Sequence, residues 1–164
     1  MVGVRFSPVA ASLVLAAALL AACASGTTTV LEPAARGEQA PAETLRLVSV
    51  EDSVPGHQEF KQAFAAELRE RLIDDGRFSE GGDLIVEYRV VQLDEGSRAL
   101  RYVVGFGAGK GALIIEVRYL NAEGEELGRI HVGGEISGGL FGGGFSAAVD
   151  EAAREAAEYT LANF

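Results

Sequence analysis

The chain has 164 residues, with 14 Lys and Arg against 24 Asp and Glu, a net charge of −10, one Cys, two His and no Trp. That length holds one domain and a tail but not two full cores, and the acidic balance argues against nucleic acid, because phosphate neutralisation needs a basic stripe. A single Cys excludes an intramolecular disulfide, two His with no second Cys leave little for a zinc site, and no cofactor is expected.

Residues 1–22 carry one charge, Arg5, ahead of an apolar run from Val9 to Ala22. A charged start and an apolar run too short for a permanent membrane helix form the pattern of an export signal. The run ends Leu20-Ala21-Ala22-Cys23, which resembles the lipobox of bacterial lipoproteins. The resemblance implies that residues 1–22 are a lipoprotein signal peptide and that Cys23 is the lipid-attachment site. The mature chain would then be held at a membrane of the cell envelope through acylated Cys23. Several acyl chains on one residue anchor far better than a single reversible myristoyl. Ala24 replaces the Asp that would look like an inner-membrane retention signal, which favours the periplasmic face of the outer membrane.

Ala24 to Glu43 is rich in Thr, Ala, Pro and Glu without an apolar period. It reads as a flexible tether, reaching about 25 Å on average. The expected organisation is therefore lipidated Cys and tether over residues 23–43 and a single α+β domain over 44–164. Leu45 to Val50 alternates as a short strand, and Pro55-Gly56 breaks the chain. Phe60, Phe64, Leu68 and Leu72 recur every fourth residue, flanked by Glu59, Lys61, Glu67, Arg69 and Glu70, which predicts an amphipathic helix stopped at Gly76.

Leu84, Val86, Tyr88 and Val90 alternate with Ile85, Glu87, Arg89 and Val91, and Leu113, Ile115, Val117 and Tyr119 with Ile114, Glu116, Arg118 and Leu120. Both runs have the strand period. Asn121-Ala122-Glu123-Gly124 is a hairpin connection, with Gly124 suited to a left-handed position. Leu127 to Ile136 supplies another strand, with Ile130 and Val132 inward and Arg129 and His131 outward. Ser146 can cap a last helix whose first turn carries Asp150 and Glu151, the sign the helix dipole favours, and its alanines 148, 152, 153, 156 and 157 let it lie close to a sheet. The order is β-α-β-β-β-α: a mixed, mostly antiparallel sheet with two helices on one face and the charged strand residues facing water.

Thirteen of the 21 Gly lie between Gly105 and Gly144, in clusters at 105–111 and 138–144. A right-handed crossover followed by two hairpins puts both clusters, and both helix N-termini, at one end of the sheet. With the tether entering at the start of the first strand, this glycine-rich pole is expected to point away from the anchor. It gathers Arg98, Arg101, Tyr102, Phe106, Lys110, Phe141 and Phe145. These residues are the candidate interaction site, since cations, aromatics and helix N-termini suit an acidic or phosphate-bearing partner. The competing reading is that glycine serves tight turns while the aromatics cover the core edge.

Catalytic patterns fail on spacing. A Walker A loop ending at Gly109-Lys110 would need Gly at Val104 and Ser or Thr at Gly111, and a GxGxxG motif would need Gly at Lys110. No Gly-x-Ser-x-Gly elbow or His-Glu-x-x-His helix occurs. His57 and His131 read as solvated, and Asp74-Asp75 and Glu125-Glu126 as surface charges at element ends. No enzyme is expected.

From Arg101-Tyr102-Val103-Val104-Gly105-Phe106-Gly107-Ala108-Gly109-Lys110-Gly111 through Asn121-Ala122-Glu123-Gly124 to the final helix, the chain resembles the domain of unknown function 4410 family. These are bacterial lipoproteins and exported proteins without a settled activity. The resemblance extends over about residues 45–164 and implies a small periplasmic module with no catalytic residues. A looser likeness of element order links the chain to the periplasmic domains of curli-secretion and penicillin-binding-protein activator lipoproteins. The expected function is a non-enzymatic envelope lipoprotein that binds an envelope protein or cell-wall polymer. The alternative is a subunit of an oligomeric secretion or pore assembly.

Overall fold

A computed structural model describes residues 26–35, 41–53, 58–94, 111–136 and 144–164. Among them are strands β1 (Gly26–Glu32) and β2 (Thr44–Ser49), helix α1 (Gln58–Arg69) running into a π-helical turn (Glu70–Asp74), and a two-residue strand β3 (Ser79–Glu80). Strands β4 (Leu84–Asp94), β5 (Gly111–Asn121) and β6 (Glu126–Ile136) and helix α2 (Gly144–Asn163) complete the order.

The predicted α+β architecture is the observed one. The six strands form one sheet in the order β1-β6-β5-β4-β2-β3. Strand β2 pairs parallel with β4 across the α1 crossover, and β4, β5 and β6 pair antiparallel as hairpins do. Both helices cover one face, where alternation delivers Leu84, Val86, Tyr88 and Val90 from β4, Leu113, Ile115, Val117 and Tyr119 from β5, and Ile130 and Val132 from β6. The helices contribute Phe64, Leu68 and Leu72 and the alanine stripe 148, 152, 153, 156 and 157, all buried.

Two local predictions hold. Gly124 has φ of 85°, a left-handed position that glycine adopts without steric cost. Asn121 Oδ1 accepts the backbone N–H groups of Glu123 and Glu125 at 3.1 and 2.8 Å, closing the hairpin. Beside this hairpin, the Tyr119 hydroxyl donates to Thr160 Oγ1 at 3.1 Å, and its ring stacks on Phe164 at 4.7 Å. Burial pushes this phenol well above its ordinary pKa.

Two predictions are corrected. Residues 26–32, placed in the flexible tether by composition, form β1 instead, pairing antiparallel with β6 from Gly26↔Gly134 to Glu32↔Arg129. The tether reading failed because β1 is exposed along nearly its whole length. A strand held by backbone bonds at a sheet edge needs no apolar alternation. The structured region therefore begins before residue 44. The last helix starts at Gly144 rather than behind a Ser146 cap, which leaves Asp150 and Glu151 beyond its first turn. Phe145 packs on Phe60 with ring centroids 5.2 Å apart, which anchors the first turn of α2 against α1.

Candidate interaction site

The strand ends decide the geometry of the glycine-rich pole. Asp94 pairs with Ala112, and Gly111 with Ile136. The last residues of β4 and β6 and the first of β5 therefore lie at the same end of the sheet, as the topology predicts. The Phe60–Phe145 contact brings the first turns of α1 and α2 together there. Of the proposed residues, Phe145 is half-buried against the core, the covering role that competed with partner binding. Arg98, Arg101, Tyr102, Phe106, Lys110 and Phe141 lie outside the described residues, as do Cys23 and His57.

One expectation about this pole is overturned. Strand β1 starts opposite Gly134, two residues before the end of β6. Because β1 runs antiparallel to β6, the chain enters the sheet at the glycine-rich end and not at the opposite one. The addition of a strand beyond β6 reverses the direction of entry.

Close to the same end sits a buried ion pair. Lys61 Nζ lies 3.0 Å from Asp52 Oδ2, with the two side chains 6% and 4% exposed. Lys61 also donates to the Val50 carbonyl at 3.0 Å, and Asp52 Oδ1 accepts the Val90 N–H at 2.9 Å. Together these bonds tie the segment after β2 to the bulged stretch of β4 and to the first turns of α1. Lys61, expected on the polar flank of α1, is buried instead. The signal was available, since Lys61 stands three residues before Phe64 and seven before Leu68 on one stripe.

The second face of the sheet carries cross-strand ion pairs. Glu116, only 7% exposed, accepts Arg89 Nε at 2.9 Å and lies 3.3 Å from His131 Nε2. Arg118 bridges Glu87 and Glu126, both at 2.9 Å, and Arg129 donates to Glu126 at 2.8 and 2.9 Å. The outward residues thus face one another more than water. His131 and Glu126, read as solvated, are half-buried within this network. The depression above it, about 410 Å³, is lined by Glu51, Glu87, Arg89, Glu116, Arg118 and Arg129. Its cations are neutralised in place, which leaves no open charge for an anionic ligand. Among the described residues, no group of three or more His, Cys, Asp or Glu is placed to hold a metal ion, and no helix is long and apolar enough to cross a membrane.

This network makes stability depend on pH. Burial raises the Glu126 carboxyl, but bonds from Arg118 and Arg129 outweigh it and hold the group below its ordinary value. The Arg154 guanidinium, against the opposing effect of burial and with the Gly26 N–H adding to it, does the same for Glu151. The unfolded chain then binds protons first as pH falls. The stabilisation is full above the ordinary carboxylate range and is lost as pH drops through the lower folded values. Urea midpoints measured from about pH 7 down to about pH 3 should fall in that lower window. Glu126→Gln should flatten part of the decline; an unchanged slope would remove Glu126 from the account.

A groove of about 690 Å³ opens at the β2 edge between the sheet and α1. Leu45, Leu47, Ala65, Ile73 and Tyr88 form its apolar floor, with Arg46, Arg69 and Glu80 at the rim. Arg69 is bonded to Glu80 across the edge. At the opposite edge, Val30 and Leu31 of β1 are 46% and 43% exposed.

The family model described as Domain of unknown function (DUF4410) matches residues 55–139. The chain belongs to this family. The match runs from the start of α1 through β6, a shorter span than the resemblance read from the sequence. Among solved structures, the fold is similar to a single-substitution variant of the PelC dodecamer from Paraburkholderia phytofirmans, with a TM-score of 0.52 and 14% identity, covering 84% of this chain and 98% of that one. The PelC dodecamer in a second crystal form is similar at a TM-score of 0.52 and 13% identity, with the same coverage. Likeness at this identity establishes a shared fold. No curated protein matches the chain.

Proposed function

We propose that the protein is a lipid-anchored scaffold subunit of the bacterial cell envelope, assembled from copies of itself and acylated at Cys23 on the periplasmic face of the outer membrane. The observation that carries the reading is a sheet in which, among the described residues, no strand lies outside β1 or outside most of β2, in a fold that PelC shares, and PelC is solved as a dodecamer. The Leu20-Ala21-Ala22-Cys23 sequence supports the anchor. Its role is assembly and partner binding rather than catalysis, the reading the motif spacings favour.

The geometry of β1 alters how such an anchor would act. Only Ala24 and Ser25 separate Cys23 from Gly26, so about 10 Å of chain joins the acylated residue to the sheet. The domain is then held against the lipid surface with its glycine-rich end toward the membrane, instead of ranging on a long tether. Arg98, Arg101, Tyr102, Phe106, Lys110 and Phe141 are assigned the contact with a further envelope protein.

Native mass spectrometry of the full chain, extracted from bacterial membranes in mild detergent, tests both parts at once. The expected spectrum is a fixed multiple of the chain mass, with acyl mass on every copy. A monomer overturns the assembly, and an unacylated chain overturns the anchor. Cys23→Ser should move the protein from the membrane to the soluble fraction.

A further inference from the structure

We propose that the outer edge of β1 in one copy pairs with the free edge of β2 in the next, seating Val30 in the groove between β2 and α1. The inference rests on the self-assembly proposed above and assigns the surface that makes it.

Four observations carry it. First, the sheet ends in β1 on one side, and among the described residues no strand lies beyond it. On the other side β3 covers only Thr44 and Leu45 of β2, leaving Arg46 to Ser49 with no described strand outside them. Open edges present rows of backbone donors and acceptors that template another strand. The devices that usually blunt an edge are missing from most of β1: Gly26 to Leu31 holds no charge and no Pro, and Gly26 to Val30 pairs regularly.

Second, the directions agree. Strand β1 is antiparallel to β6, β6 to β5 and β5 to β4, while β4 is parallel to β2. A second copy continued along the sheet therefore meets β1 and β2 antiparallel, the more stable pairing. Third, the faces agree. Val30 lies opposite Ile130 on the helix-covered side, and Leu47 shares that side with Leu45. Setting Val30 against Leu47 places Leu31 against Arg46, Thr29 against Val48 and Thr28 against Ser49. These four pairs fill the free stretch of β2. The chain must then leave the edge at Glu32 to avoid β3, and the irregularity in β1 falls between Val30 and Glu32.

Fourth, the charges agree. Arg46 is exposed on the β2 edge, and Glu32 is exposed where β1 leaves the sheet, 3.7 Å from Arg129. The two surfaces differ, so the contact is heterologous; it closes into a ring or runs on as a filament according to the rotation between copies.

The test uses the full chain in detergent. Val30→Lys and Arg46→Glu, both at exposed positions, should each shift the native mass from the oligomer to the monomer, with thermal midpoints close to that of the parent. Leu31→Cys combined with Arg46→Cys should give a reducible ladder of cross-linked chains on oxidation, which the parent does not form. A parent that is itself monomeric overturns the assembly and this interface together. A parent oligomer that keeps its mass in both charge variants, with no ladder from the cysteine pair, overturns this interface alone and leaves the assembly standing.

Discussion

Gly134→Val is expected to destabilise the domain by about 3 kcal/mol, the upper range for overpacking a close contact. A Cβ at position 134 would lie 2.6 Å from Ala148 Cα and closer still to the Ala148 carbonyl oxygen. These are backbone atoms, so no rotamer change relieves the clash, and α2 must lift from β6. Lifting it disturbs the buried packing of Ala152, Ala153, Ala156 and Ala157, none of which is more than 4% exposed. Gly82 is the matched control. A Cβ there meets nothing within 4 Å and its φ is not positive, so Gly82→Ala should stay within about 0.5 kcal/mol of the parent. Urea unfolding of the three proteins decides the matter. Equal midpoints for all three would mean that α2 tolerates displacement and that its close approach does not set the fold.

Asp52→Ala is expected to cost about 3–5 kcal/mol, the range for removing one partner of a buried pair. The substitution leaves the Lys61 ammonium in a site where its side chain is 6% exposed, with only the Val50 carbonyl as a bonded partner. It also takes the acceptor from the Val90 N–H, which adds the cost of an unmade bond. Lys61→Met alone removes the charge that needs burying but strands the carboxylate in turn. The double variant Asp52→Ala with Lys61→Met should therefore be more stable than the sum of the single losses implies, because neither charge is left alone. Strict additivity of the two losses in a double-mutant cycle would show that the pair is not coupled. The pair stands where the chain passes from β2 toward α1, so this loss should be accompanied by faster amide exchange at Ser53 and Val90.

The two expectations concern residues that periodicity treats differently. Alternation marks the inward residues of β4, β5 and β6, and four-residue spacing marks Phe64, Leu68 and Leu72, because each period reports a face repeated along a single element. The alanines of α2 announced a close approach, yet the partner surface, Gly134, was one glycine among many and carried no signal of its own. Lys61 lay on the apolar stripe of α1, but a lysine there is read as a flank unless its partner is known. Asp52 lies in a connection, nine residues away, and only the fold brings it within 3.0 Å. The candidate site was less legible. The strand ends that flank its glycine-rich segments coincide as expected, because handedness and hairpins determine which ends meet. The side from which the chain arrives was misjudged, since it depends on β1.

Taken by itself, the sequence determined the lipobox resemblance at Cys23, the family, the four central strands, the two helices and the turn at Gly124. These follow from local patterns, where each residue's neighbours along the chain carry the information. Tertiary structure alone decided that Gly26–Glu32 joins the sheet beyond β6, that Lys61 and Asp52 are buried together, that the charged strand residues neutralise one another, and that, among the described residues, no strand lies outside β1 or outside Arg46 to Ser49 of β2. An edge strand is held by backbone hydrogen bonds on one side and leaves its side chains in water. It therefore imposes no hydrophobic period, and only the rest of the sheet can reveal it.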